Sequence, residues 1–214
     1  MTEEAHRPRR TSTDRFRPIL LGCFAAVFAA LAVTPSYRDD WLLENLLVFI
    51  IVPVFVLSYR RLRFSNFAYT CLFLFLVLHE IGAHYTYSEV PYDLWFQALT
   101  GTTLNSLLGL ERNHYDRLVH FSYGLLLFPT VWELFEERAS PRGVWRYVMP
   151  VTFLMSHSVI YELIEWTAAE MFGGDLGQAY LGTQGDVWDA QKDMGLAAAG
   201  AVCGLVLTVS RKRR

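Results

Sequence analysis

The chain is punctuated by stretches that are apolar on every side. Six of them stand out, at about 18–34, 41–58, 67–84, 118–135, 147–166 and 193–210. Each approaches the ~20 residues that a helix needs to cross the hydrocarbon core of a bilayer. Runs such as LFLFLVL and LLVFIIVPVFVL show no alternation of period two, so they do not read as strands of a β-barrel. In lipid every backbone polar group must be satisfied within the structure, and each stretch is therefore predicted to be a helix. The expected fold class is all-α: a polytopic membrane bundle of six transmembrane helices spanning 18–210, between basic tails at 1–17 and 211–214.

Smaller features refine this outline. Pro53 and Pro129 lie inside spans and are expected to kink them, whereas Pro150 lies near a helix start, where proline is harmless. Gly22, Ala26 and Ala30 recur every four residues in the first span, and Gly200 and Gly204 do the same in the last. Stripes of this kind let helix backbones approach closely, although small residues are also simply common in membrane helices.

Composition supports a lipid environment. Hydrophobic residues make up 53% of the chain and aromatic residues 15%, more than the interior of a soluble domain of 214 residues can bury. A net charge of −2 gives no reason to expect a nucleic-acid partner. Cys23, Cys71 and Cys203 all lie in apolar runs and read as small buried hydrophobes rather than a disulfide framework or a thiolate metal site.

The cationic residues set an expected orientation. With the N-terminus in the cytoplasm, the cytoplasmic segments hold Arg7, Arg9, Arg10, Arg15 and Arg17, then Arg60, Arg61 and Arg63, then Arg138, Arg142 and Arg146, then Arg211, Lys212, Arg213 and Arg214. That is 15 of the 19 basic residues, leaving only Arg38, Arg112, Arg117 and Lys192 outside. The bias at every loop predicts an inner-membrane protein with both termini cytoplasmic. The first span has a second reading, a signal peptide cleaved after Ala32, which would leave the later orientations unchanged.

On this topology the cytoplasmic connections are short and two outer segments are long, at about 85–117 and 167–192. Long loops in a compact domain tend to carry function. The first is amphipathic, and Trp95, Phe96, Leu99, Leu104, Leu107 and Leu108 are expected to lie on the membrane interface or cap the bundle. The second is rich in glycine and acid.

Ionisable residues recur at one depth. Glu80 and His84 in HEIGAH are four apart and share a helix face, as do Asp116 and His120 in NHYDRLVH. Glu162 and Glu165 are three apart in YELIEW, and Asp186, Asp189 and Asp193 follow at spacings of three and four. Charges in hydrocarbon are costly and usually face an interior cavity, so one outward-facing pocket is expected to collect these groups. Singly, each has a bland reading. Asp116 pairs with Arg117 at the interface, His79 is a packed neutral histidine, and one of Glu162 and Glu165 bonds backbone in a kinked helix. The acids at 186–193 form a solvated helix start, and Glu44 and Asn45 belong to the pocket or to the interface.

Three chemistries suit such a pocket. Imidazole and carboxylate bind zinc, iron or manganese; Glu80, His84, Asp116, His120, Glu162 and Glu165 offer more than enough ligands for a divalent metal, with Glu80, His84 and His120 the expected set. His79 and His84 are five apart, however, not the four of H-E-x-x-H. General acid–base catalysis by Asp116, His120, Glu162, Glu165, Asp186, Asp189 and Asp193 is the second, with His120 the best base. A proton relay or transport path is the third, without a broken-helix inverted repeat to support it. No phosphate-binding loop, dinucleotide fingerprint or nucleophile elbow is present.

The motifs HEIGAHYTY, ERNHYDRLVHF, YELIEW and LGTQGDVWDAQKDM resemble the YjdF-like family of bacterial inner-membrane proteins over nearly the whole chain from about residue 20. That resemblance implies a fold and a location but no activity. A more distant pattern is similar to VanZ-like membrane proteins. Asp116, Arg117 and His120 match its first part, and Glu162 and Glu165 stand where it has Glu and usually Gln. Asp186 and Asp189 precede Gly195 and Gly200 in the last helix, and Asp193 replaces the usual Asn. It implies a cell-envelope role. Together these readings predict an envelope enzyme acting on a lipid-linked or periplasmic small molecule. The alternative is a transporter or accessory protein whose polar cluster is structural or carries protons, with membrane lipid as the constant partner.

Overall fold

The computed structural model describes residues 13–172, 174 and 181–212. The ends of both basic tails and most of the glycine-rich centre of the 167–192 segment lie outside these residues. Among those described there is no strand. The helices are α1 (Thr13–Ala32), α2 (Arg38–Glu44), α3 (Leu46–Ser58), α4 (Asn66–Tyr85), α5 (Tyr92–Thr100), α6 (Leu104–Leu108), α7 (Tyr115–Arg138), α8 (Trp145–Phe172) and α9 (Asp189–Lys212). A single 3-10 turn, Tyr87–Glu89, follows α4.

Five of these, α1, α4, α7, α8 and α9, are long and apolar enough to cross a membrane, and α2 with α3 makes a sixth if the bent pair is counted as one span. The fold is therefore an all-α bundle with five or six candidate membrane spans among the described residues. The helices overrun the apolar stretches: α7 begins at Tyr115 and α9 at Asp189, which brings Asp116, Asp189 and Asp193 onto helical turns.

The break within the second apolar stretch falls at an asparagine. Pro53 lies inside an unbroken α3 and Pro129 inside an unbroken α7. The axis turns by 40° between α2 and α3, at Asn45. Asn45 keeps φ −81° and ψ −3°, and its side-chain amide donates to the Trp41 carbonyl at 2.9 Å, serving a helix end from within.

Helix α7 is the central element, packed on α9, α4 and α8, with α1 on the far side of α4. The contact between α7 and α9 is the tightest. A Cβ on Gly124 would lie 2.0 Å from the Ala197 carbonyl oxygen, and one on Gly200 would lie 2.0 Å from that of Phe121. Gly204 similarly meets the Phe128 side chain and the Leu125 carbonyl. The stripe in the last span thus lets two backbones touch. The one in the first span does not act this way at Gly22, where an added Cβ would meet nothing within 4 Å. Beside the glycine contact, Phe128, Val131, Trp132, Leu154 and Ala201 form the main buried apolar cluster.

The two ends of the bundle differ in charge. At one end, called here the arginine end, cations close helix termini. Arg17 donates to the Phe64 carbonyl at 2.8 Å and Arg138 to the Arg61 carbonyl at 2.9 Å. Glu133 accepts from the Ser65 amide at 2.7 Å and its hydroxyl at 2.6 Å, while that hydroxyl caps α4 by accepting from the Ala68 amide. Arg146 pairs with Glu136 and stacks over Trp132.

The other, acid end carries α5 and α6. Neither buries a residue, and Leu94, Leu99, Leu107 and Leu108 are exposed, Leu99 to 86%. The two short helices are tied to each other by Asp93 accepting from the Asn105 amide at 3.0 Å and Tyr92 donating to Asn105 at 2.8 Å.

Candidate functional site

The acid end is where the helices position ionisable side chains together. Asp116 and His120 lie one turn apart on α7, and Asp189 and Asp193 one turn apart on α9. One further turn along, Gly124 faces Ala197 in the glycine contact, so the same backbone packing that joins the helices sets the distance between these groups. His120 Nε2 lies 3.5 Å from Asp116 Oδ1 and 3.6 Å from Glu162 Oε1 on α8. Asp116, His120 and Asp193 offer one nitrogen and two oxygens that all lie within 4.8 Å of one another. Glu165 is buried one turn on from Glu162. Tyr161 donates to Glu44 at 2.9 Å, which draws the bent α2–α3 span toward α8, and its ring centroid is 6.0 Å from that of His120.

A rim of opposite charges covers the cluster. Arg117 donates to Asp186 at 2.5 Å and to Asp189 at 3.0 Å. Arg112 donates to Asp189 at 2.8 Å and to the Thr183 carbonyl at 2.6 Å, and Lys192 reaches Asp186 at 2.6 Å. The Lys192 ammonium, the Arg117 guanidinium and the Trp188 amide hold the Asp186 carboxyl well below the usual carboxylate range.

Beneath the rim the balance changes. Among the described residues no arginine or lysine comes within ion-pair distance of Glu44, Glu80, Asp116, Glu162, Glu165 or Asp193, and His120 is the one basic group within that distance of any of them. Glu44, Glu80, Glu165 and Asp193 are buried. Both carboxyl oxygens of Glu80, Oε1 of Glu162 and Oδ1 of Asp193 lack a hydrogen-bond partner among the described residues. A buried polar atom without a partner costs about 1–3 kcal/mol, more if charged, so such a concentration is unusual in a membrane bundle.

The candidate residues sort accordingly. The structure brings together Asp116, His120, Glu162 and Asp193, and places Glu165 one turn from Glu162; Asp186 and Asp189 belong to the rim. The ligand set Glu80, His84 and His120 is not assembled. His84 Nδ1 donates to the Leu31 carbonyl at 2.7 Å, because the last turn of α1 leaves that oxygen free where it meets the end of α4. Glu80 is fully buried within α4.

The bland readings divide too. Asp116 does not pair with Arg117; neighbours in a helix point in different directions, and Arg117 turns to the α9 acids instead. The acids at the start of α9 are not a solvated string, since Asp189 and Asp193 are buried. His79 is a packed histidine, buried with its Nδ1 2.5 Å from the Tyr87 hydroxyl. Glu44 belongs to the cluster. Sequence reasoning missed Tyr161 and the rim role of Arg112, although both lie inside motifs it singled out, YELIEW and ERNHYD.

Five or six candidate spans with a polar cluster at one end define a multi-pass integral membrane protein. Residues 16–214 match the model of the family described as "Predicted membrane protein (DUF2238)", and the chain belongs to that family. It is similar to the Inner membrane protein YjdF of Escherichia coli (strain K12), with 32% identity over 199 residues that cover 91% of each chain. No solved structure matches the chain.

Proposed function

We propose that the chain resides in the bacterial inner membrane with both termini in the cytoplasm. On this reading the acid end opens outward as a recess for acid–base chemistry on a lipid-linked or periplasmic small molecule. Its location rests on the similarity to an inner-membrane protein, and its orientation on the basic residues at the opposite end. One observation carries the chemistry: carboxyls from three spans, Asp116, Glu162 and Asp193, surround a single imidazole with no lysine or arginine in ion-pair contact with them. Stability alone gives no reason to keep so many uncompensated acids, whereas catalytic sites do collect them. His120 is the base, Asp116 and Glu162 flank it at 3.5 Å and 3.6 Å, and Glu165 is the second acid. Asp186 and Asp189, held by Arg112 and Arg117, shape the entrance.

A second reading, a proton-carrying or structural cluster in a transporter or accessory protein, draws on the hydrogen bond from Tyr161 to Glu44, which extends the polar groups from α8 to the bent span. Complementation of a deletion strain by Asp116→Ala, His120→Ala and Glu165→Ala separates function from architecture. All three are expected to reach the membrane and fail to complement; normal complementation by folded variants would remove the site. Turnover of an envelope lipid fraction by the purified protein, absent in His120→Ala, distinguishes an enzyme from a carrier. For orientation, a membrane-impermeant maleimide applied to intact spheroplasts is expected to label Ser106→Cys and spare Ala139→Cys.

A further inference from the structure

The distances around His120 do not fit a hydrogen-bonded network. At 3.5 Å and 3.6 Å, the separations from Asp116 and Glu162 exceed the usual 2.7–3.2 Å of an N–H···O bond. They do fit neighbouring ligands of one ion: bonds of ~2.1 Å set ligands about 3.4 Å apart along a tetrahedral edge. Asp193, only 2% exposed, supplies a further oxygen, Oδ1, with no partner among the described residues, and Oε1 of Glu162 is in the same condition. Two observations therefore coincide here: ligand atoms within 4.8 Å of one another, and buried oxygens with nothing to bind.

We infer that Asp116, His120 and Asp193, with Glu162 as a fourth ligand, hold a divalent first-row metal ion. The inference rests on the functional reading above and names the cofactor of that same site, with one change of role: an Nε2 bound to metal has no lone pair left for a proton, so the base passes from His120 to Glu165. One imidazole with carboxylates suits manganese, iron or zinc, and no thiol joins the group to favour a softer ion. The ion supplies the positive charge that the deep acids lack. The contact of Gly124 with Ala197 and of Gly200 with Phe121 fixes the α7 and α9 ligands relative to each other before metal arrives. Bound there, a metal polarises a substrate oxygen or lowers the pKa of a water molecule.

The test uses the full chain in lipid nanodiscs, stripped with a chelator and titrated with Mn²⁺ or Zn²⁺ by calorimetry. One ion per chain is expected, with affinity reduced at least about tenfold in His120→Gln and Asp193→Asn. Glu137→Gln, on the exposed arginine end, is expected to bind like the wild type. Wild-type protein loaded with Mn²⁺ should also show spin-echo modulation from one imidazole nitrogen, a readout that needs no variant to fold. No saturable binding, unchanged affinity in His120→Gln, or absence of the nitrogen coupling would overturn the metal. Those results leave the acid–base reading standing, because it is decided separately by complementation with the Glu165→Ala variant, which removes no ligand.

Discussion

The two ends of this bundle use charge in opposite ways. At the arginine end several ionised groups serve a helix terminus or an opposite charge: Arg17 and Arg138 take free carbonyls, Glu133 takes the Ser65 cap, and Arg146 takes Glu136. At the acid end the rim repeats this economy, but the layer below it abandons it. Carboxyls there face one another and a single histidine, with oxygens left unbonded. Satisfied charges close a structure; unsatisfied ones, held in place by good packing around them, mark where a protein keeps stability in reserve for function.

The comparison breaks first if the glycine contact is not what positions the acid layer. Gly200→Val puts a side chain 2.0 Å or closer to the Phe121 carbonyl, and a backbone clash of that kind should cost at least ~3 kcal/mol. Loss of monodisperse protein on size exclusion is the expected result, and a well-folded variant would show that α7 and α9 have room to part.

A sharper contrast comes from removing one carboxyl at each end. Glu133→Ala deletes the acceptor for Ser65 and should lower stability by about 1–2 kcal/mol. Asp193→Asn, measured without metal, should raise it by about 1–3 kcal/mol, since it takes a buried acid with an unbonded oxygen out of a like-charged group. Thermal melts in the same detergent decide the signs. Two losses of equal size would make the ends energetically alike and end the comparison.

The smallest effect concerns the rim. Asp186 has its carboxyl pKa depressed by Lys192 and Arg117, so its ion pairs favour the folded state above the ordinary carboxylate range. That contribution fades as the pH falls below about 4 and on through the depressed folded value. The wild type should therefore be more stable than Asp186→Asn at neutral pH, with the gap closing in acid. A gap that widened in acid would reverse the assignment.

Much of this architecture was legible from hydropathy. Helices lie at all six apolar runs, five of them long enough to cross alone and the second broken into α2 and α3, because lipid leaves the backbone no alternative to helix. The bend at Asn45 was not legible: proline carries a rule for kinks, whereas an asparagine bonding its own helix carries only a tendency. Among site residues, spacing along one helix identified the pair Asp116 and His120, since a separation of four fixes a shared face. Spacing failed for Glu80 and His84, where the partner is decided by which helix end lies nearby, here Leu31 of α1. Tyr161 and Arg112 were passed over because a hydroxyl and a rim cation gain meaning only from their neighbours in space, Glu44 and Asp189.

The seam between Gly124 and Gly200 has a mechanical corollary. Helices that touch through bare backbone have no side-chain cushion to slide or roll on, so α7 and α9 travel as one strut. On the proposed reading, anything that enters the acid end is then admitted by movement outside that strut, at an element such as the α2–α3 segment bent at Asn45.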